Sequence, residues 1–128
     1  MNLKKLKFQT RAIHEGCGYS EDTGAVMPPL FLTSTFASDN PHGFDYTRSG
    51  NPNFRLLEEC LASLENAKFG TCFGSGVSAI TAIVSTLKSG DIVVADENVY
   101  GCTYRLFDKV FRKFGVDVLY FDFSDNQN

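Results

Sequence analysis

The stretch KFGTCFGSGVSAITAIVSTLKSGDIVVAD, residues 68–96, decides the fold. Lys68 to Phe73 reads as a short strand, and Gly74, Ser75 and Gly76 as a tight turn out of it. The next residues place Val77, Ile80, Ile83, Val84 and Leu87 on one face of a helix, which Lys88 and Gly90 end. Asp91 to Ala95 is a short apolar run of the kind found in parallel strands covered on both faces.

Working outward toward the carboxyl end, a loop of Asp96, Glu97, Asn98 and Val99 leads to Tyr100 and Gly101. Thr103 is placed to cap a further helix, with Leu106, Phe107, Val110, Phe111 and Phe114 inward and Gly115 as its stop. Val116 to Phe123 reads as a strand with Leu119, Phe121 and Phe123 on one side and Val118 and Tyr120 on the other, apolar on both. Toward the amino end, Asn51 is a cap with Pro52 at the first helical position, and Leu56, Leu57, Cys60, Leu61 and Leu64 make one apolar stripe. The order helix, strand, helix, strand, helix, strand predicts an α/β fold with right-handed crossovers. Three strands leave the sheet unfinished, so either the polypeptide continues or a partner completes it.

Residues 1–50 have a different character. Lys7 to Ile13 fits one short helical turn, after which Gly, Pro, Ser, Asn and Asp recur every few residues. Val26 to Phe36 is apolar but interrupted by Pro28 and Pro29, which predicts an extended arm packing on something other than its own sheet.

Composition bounds the function. The chain has 128 residues, 43% hydrophobic and 21% charged, which allows one domain at most and excludes a charged disordered tail. A net charge of -3 points to neither nucleic acid nor an anionic membrane, and Lys4, Lys5, Lys7 and Arg11 read as a solvated face. The absence of a long apolar run or signal-like start predicts a cytoplasmic protein. Cys17, Cys60, Cys72 and Cys102 form no C-x-x-C pair, so free thiols are expected and no metal site.

Chemistry concentrates at three places. Backbone N–H groups at Gly74, Ser75 and Gly76, between a strand and a helix start, suit an anion such as a phosphate, or else form only a capped turn. Gly74, Gly76 and Ala79 also fit G-x-G-x-x-A, with Asp96 past the next strand, so a small dinucleotide-binding module is a lesser alternative. In Tyr46–Pro52, Arg48 offers a planar donor fork for phosphate, and in an extended stretch Tyr46 points the same way; Arg55 is placed to bond the same loop. Tyr100 follows the second strand onto the edge that carries the glycine turn, where its ring can stack on a planar group or simply cover a helix start.

TRAIHEG at 10–16, Pro28 and Pro29 with STF at 34–36, YTRSGNP at 46–52, Leu57, Glu58, Leu61 and LE at 64–65, GSGVSAI at 74–80, GDIVVAD at 90–96 and YGCTYRLF at 100–107 together carry a resemblance. The chain resembles the Cys/Met-metabolism family of pyridoxal-phosphate enzymes, which includes cystathionine gamma-synthase, cystathionine beta- and gamma-lyases and methionine gamma-lyase. The resemblance implies an incomplete portion of the fold-type I large domain over residues 51–128, preceded by an extended arm, residues 1–50, that wraps a neighbouring subunit. It implies pyridoxal 5'-phosphate as cofactor, a small sulfur amino acid as substrate, and a homodimer or tetramer. Ser75, Gly76 and Val77 would hold the cofactor phosphate, Tyr46 and Arg48 would reach that phosphate in the adjacent subunit, and Tyr100 would stack on the pyridine ring and assist proton transfer. Val77 stands where the family usually has Met, and Cys102 replaces a frequent Gly, so that YGCT looks more like methionine gamma-lyases. The family's cofactor-bearing lysine, pyridine-pairing aspartate and carboxylate-binding arginine lie on a later part that has no counterpart among these residues. The implied function is the cofactor-binding portion of a sulfur amino acid lyase or trans-sulfuration enzyme. An inactive fragment or half of a split enzyme, completed by a separate chain, is the alternative.

Overall fold

The computed structural model describes residues 6–17 and 23–124, in two compact units divided after Cys72. Lys4 and Lys5 lie outside the described residues.

Among the described residues the first unit holds two helices. α1, Phe8–His14, is one of them, and α2, Pro52–Leu64, is the other. Asn51 starts α2 as the spacing predicts: its Oδ1 accepts from Asn53 N–H at 2.9 Å, and Pro52 occupies the first turn, where an N–H has no helical partner. Asn51 is also buried, because Nδ2 donates to Thr47 Oγ1 at 2.9 Å and ties the preceding loop to the helix. Arg11 corrects the reading of a solvated basic face. It is buried, and its Nη1 donates to the Ser63 carbonyl and to Asn66 Oδ1, so it binds the carboxyl end of α2, where a cation also suits the helix dipole. Between the helices the described residues are irregular, with one antiparallel bridge pairing Thr35 with Tyr46.

The predicted strand at Lys68 to Phe73 does not form. These residues run without a ladder partner and lie along α2 instead: Cys72 N–H donates to Glu58 Oε1 at 2.9 Å, and a Cβ on Gly70 would come within 2.8 Å of the Glu58 carbonyl oxygen. A strand exists only through its neighbour, and an apolar run cannot supply one by itself.

The second unit contains α3, Gly76–Val84; β1, Ile92–Asp96; α4, Gly101–Lys109; a 3-10 turn, Phe111–Phe114; and β2, Asp117–Phe121. β1 and β2 pair in parallel, from Ile92 with Asp117 to Asp96 with Phe121. The core lies on one face of this pair, where Val84, Ala95, Phe107, Phe111, Val116 and Val118 are buried and Ile80, Leu87, Val93 and Leu106 pack against them. Gly115, at φ 80°, closes the 3-10 turn, and Arg112 Nη2 donates to the Val118 carbonyl at 3.0 Å, fastening that turn to β2.

One predicted boundary shifts, and the sheet is left open on one side. α4 starts at Gly101 with Tyr100 at its cap position, not at Thr103, which is buried in the first turn. Tyr100 makes no side-chain cap bond, so nothing polar marks the boundary in the sequence. The strands are not covered on both faces: Val118 is 3% exposed and Leu119 is 46% exposed, and Ile92, Val94 and Phe121 share the open side. Ile83 on α3 and Phe114 are exposed as well.

Candidate functional site

The glycine turn leads into α3 with its donors free to act. Ser75 caps the helix, its Oγ accepting from Ser78 N–H at 3.1 Å, and Ala79 N–H donates to the Ser75 carbonyl at 3.1 Å. Gly76 and Val77 precede these bonds, so their N–H groups belong to the set that no helical carbonyl satisfies. A Cβ built on Gly74 or Gly76 would meet nothing within 4 Å. The turn is therefore open, with two backbone donors and the positive end of a helix dipole facing the opening. This arrangement fits a phosphate dianion.

α4 begins at the carboxyl end of β1, and α3 runs back across the core before feeding β1. Chain direction thus brings both helix starts to the carboxyl edge of the sheet, where ligands of open α/β sheets bind. Tyr100 stands there with 69% of its surface exposed, a ring face available for stacking. Hydrogen bonding with the Cys102 thiol, and then the charge of that group, push the Tyr100 phenol above its ordinary pKa, while Arg105 opposes the shift. Arg105 Nη2 also approaches Cys102 Sγ at 3.7 Å. The sequence reading missed Arg105, whose position one turn into α4 was the available signal.

Asp96, the acid of the dinucleotide pattern, is engaged by the backbone. Its Oδ1 accepts from Asn98 N–H at 2.7 Å and its Oδ2 from Phe123 N–H at 3.1 Å. These bonds shape the loop after β1 and leave the carboxylate less open to a ribose hydroxyl.

In the first unit, Tyr46 and Arg48 come together through a turn and not along an extended strand. Ser49 and Gly50 N–H both donate to the Tyr46 carbonyl, at 2.9 and 3.0 Å, and the Arg48 guanidinium lies 5.0 Å from the centre of the Tyr46 ring. Arg55 does not bond this loop: it sits 5.0 Å from the Phe44 ring centre and pairs with Glu59 at 3.7 Å. A cavity of about 540 Å³ in the same unit is lined by Pro29, Phe31, Phe36, Phe44, Arg55 and Leu56, and neither Tyr46 nor Arg48 lines it. Among the described residues no cluster of three or more His, Cys, Asp or Glu side chains is placed to hold a metal, and no helix is long and apolar enough to cross a membrane.

Comparison with known proteins gives a consistent picture. A family model described as Cys/Met metabolism PLP-dependent enzyme matches residues 9–128. A probable cystathionine gamma-synthase of Herpetosiphon aurantiacus is 42% identical over 121 residues, covering 92% of this chain and 38% of the relative. An L-methionine gamma-lyase of Pseudomonas deceptionensis is 40% identical, covering 95% and 34%. The crystal structure of metB from Corynebacterium glutamicum superimposes with a TM-score of 0.89 at 37% identity, covering 98% of this chain and 34% of that one. The chain spans about a third of the length of the relatives it matches.

Proposed function

We propose, because this chain belongs to the Cys/Met-metabolism family of pyridoxal-phosphate-dependent enzymes, that it is the cofactor-binding portion of a sulfur amino acid lyase or trans-sulfuration enzyme acting by elimination or replacement at the beta or gamma carbon. Its fold is a portion of the large domain of those enzymes, and its cofactor is pyridoxal 5'-phosphate. The observation that carries the reading is the open turn at Gly74–Gly76, with the unsatisfied N–H groups of Gly76 and Val77 at the start of α3.

When bound, the cofactor supplies an electron sink for a carbanion at the amino acid's alpha carbon. The chain's own residues bind and orient. Ser75, Gly76 and Val77 hold the phosphate through backbone donors and the Ser75 hydroxyl. Tyr46 and Arg48 serve the phosphate of a neighbouring subunit in a dimer or tetramer, Arg48 leaving its seat on the Tyr46 ring to offer its donor fork. Tyr100, exposed at the start of α4, would cover one face of the ring and take part in proton transfer through its hydroxyl. The arm, residues 1–50, packs on that neighbour.

Pyridoxine 5'-phosphate tests the phosphate site, since it lacks the aldehyde and does not react with surface lysines. Titration should move the Gly76 and Val77 amide resonances in a saturable way, and unmoved resonances would refute the site. The 128-residue chain by itself should show no elimination of sulfur amino acids. Turnover by the purified chain would overturn the division of labour proposed here.

The bare sheet face favours a second, compatible reading, in which this chain is catalytically silent until completed. Ile92, Val94, Leu119 and Phe121 form an exposed apolar surface on a two-stranded sheet. We infer that the remaining part of the family fold covers it, as continuing polypeptide or as a separate chain. Co-expression with a polypeptide carrying that part should yield a complex with the yellow absorbance of bound cofactor.

A further inference from the structure

Cys17 and Cys60 border one cavity in the first unit, and we propose that they are a redox site that closes into an intramolecular disulfide. Cys17 follows α1 and Cys60 lies on α2. Both line a cavity of about 230 Å³, together with Glu15, Pro28 and Leu57. The backbone brings them close. A Cβ built on Gly16 would collide with the Leu56 carbonyl and stand 3.4 Å from Cys60 Cβ, so the residue next to Cys17 already touches the helix that carries Cys60. Gly16 holds φ 71°, a left-handed turn that glycine permits. Cys17 is thus one residue, about 3.8 Å of backbone, from a point of contact with Cys60, and both line the same cavity. Both thiols are free and partly accessible.

The chemistry balances with glutathione disulfide as oxidant. One thiolate attacks a sulfur of the reagent, forming a mixed disulfide and releasing one glutathione thiolate. The second protein thiolate attacks the mixed disulfide, forming the Cys17–Cys60 bond and releasing the other. Two electrons pass from the protein to the reagent, and two protons leave the protein. Burial, with Cys17 and Glu15 nearby, holds Cys60 above the ordinary thiol pKa, so the first attack falls to Cys17 and the resolving step to Cys60. The bond would staple the segment that follows α1 to α2. This inference does not depend on the cofactor reading.

The test treats the whole chain with glutathione disulfide and maps the linked peptides by mass spectrometry. The Cys17–Cys60 link should dominate over pairs involving Cys72 or Cys102, should raise Tm, and should be reversed by dithiothreitol. In urea the preference for this pair should vanish. Cys60→Ser should leave glutathione trapped on Cys17, and Cys17→Ser should slow modification of Cys60. Glutathione retained singly on both cysteines of the native chain, or links distributed as in urea, would overturn the proposal.

Discussion

Gly16 and Gly115 both sit at positive φ, yet they differ in what surrounds them. An added methyl at Gly16 meets the backbone carbonyl of Leu56, which cannot move without distorting α2. At Gly115 the nearest obstacle is the exposed Ser89 hydroxyl, which a rotation can move aside, leaving Ser89 Cβ at 3.1 Å. Left-handed backbone alone costs a non-glycine residue about 1–2 kcal/mol. Gly115→Ala should therefore lose about that much, and Gly16→Ala distinctly more, as read from urea midpoints. The same scale governs Tyr100. Cys102→Ala removes the main cause of its raised pKa and leaves the lowering influence of Arg105. The tyrosinate titration of Tyr100 should move to lower pH, with the phenol still neutral at pH 7.

At the scale of elements, Asn51 is the most consequential cap, because one buried side chain both starts α2 and anchors the loop that carries Tyr46 and Arg48. Asn51→Ala should cost about 2 kcal/mol or more, combining a lost cap with buried partners left unsatisfied. Asn51→Asp should recover part of this, since a carboxylate still accepts from Asn53 N–H but cannot donate to Thr47. Denaturant titration of the three proteins orders them. This cap was legible because Asn followed by Pro is a local signal, and so was Ser75 after Gly74. The start of α4 was not legible: Tyr100 takes the cap position by backbone geometry alone. Nor was the fate of Lys68 to Phe73, whose apolar alternation suits a strand but whose partner is a matter of the whole sheet. Arg11 misled for a third reason. Arginines are mostly exposed, and only the distant Ser63 and Asn66 acceptors explain its burial.

For the whole molecule, the open side of the sheet sets solution behaviour. An apolar surface of this kind drives association when left bare. Val94→Thr with Leu119→Thr should reduce self-association of the 128-residue chain, measured by sedimentation, while Val118 and the core beneath keep the second unit folded. The same double change should weaken assembly with a polypeptide carrying the rest of the family fold. If self-association persists unchanged, some other surface is responsible. The glycine turn, the arginine loop and the exposed tyrosine could be picked out as candidates from the sequence because each relies on residues adjacent in the chain. The proposed assembly of these places into one site would be a property of subunits together, which no single chain's periodicity encodes.

The Arg48 guanidinium resting on the Tyr46 ring has a practical consequence. The chain has no tryptophan and only five tyrosines, so its intrinsic emission is unusually simple to interpret. Any dianion that draws the guanidinium away leaves that aromatic face bare and alters its fluorescence and ring-proton shifts. Arrival of a phosphoryl group can thus be followed without a label, from the very residue whose cover it removes.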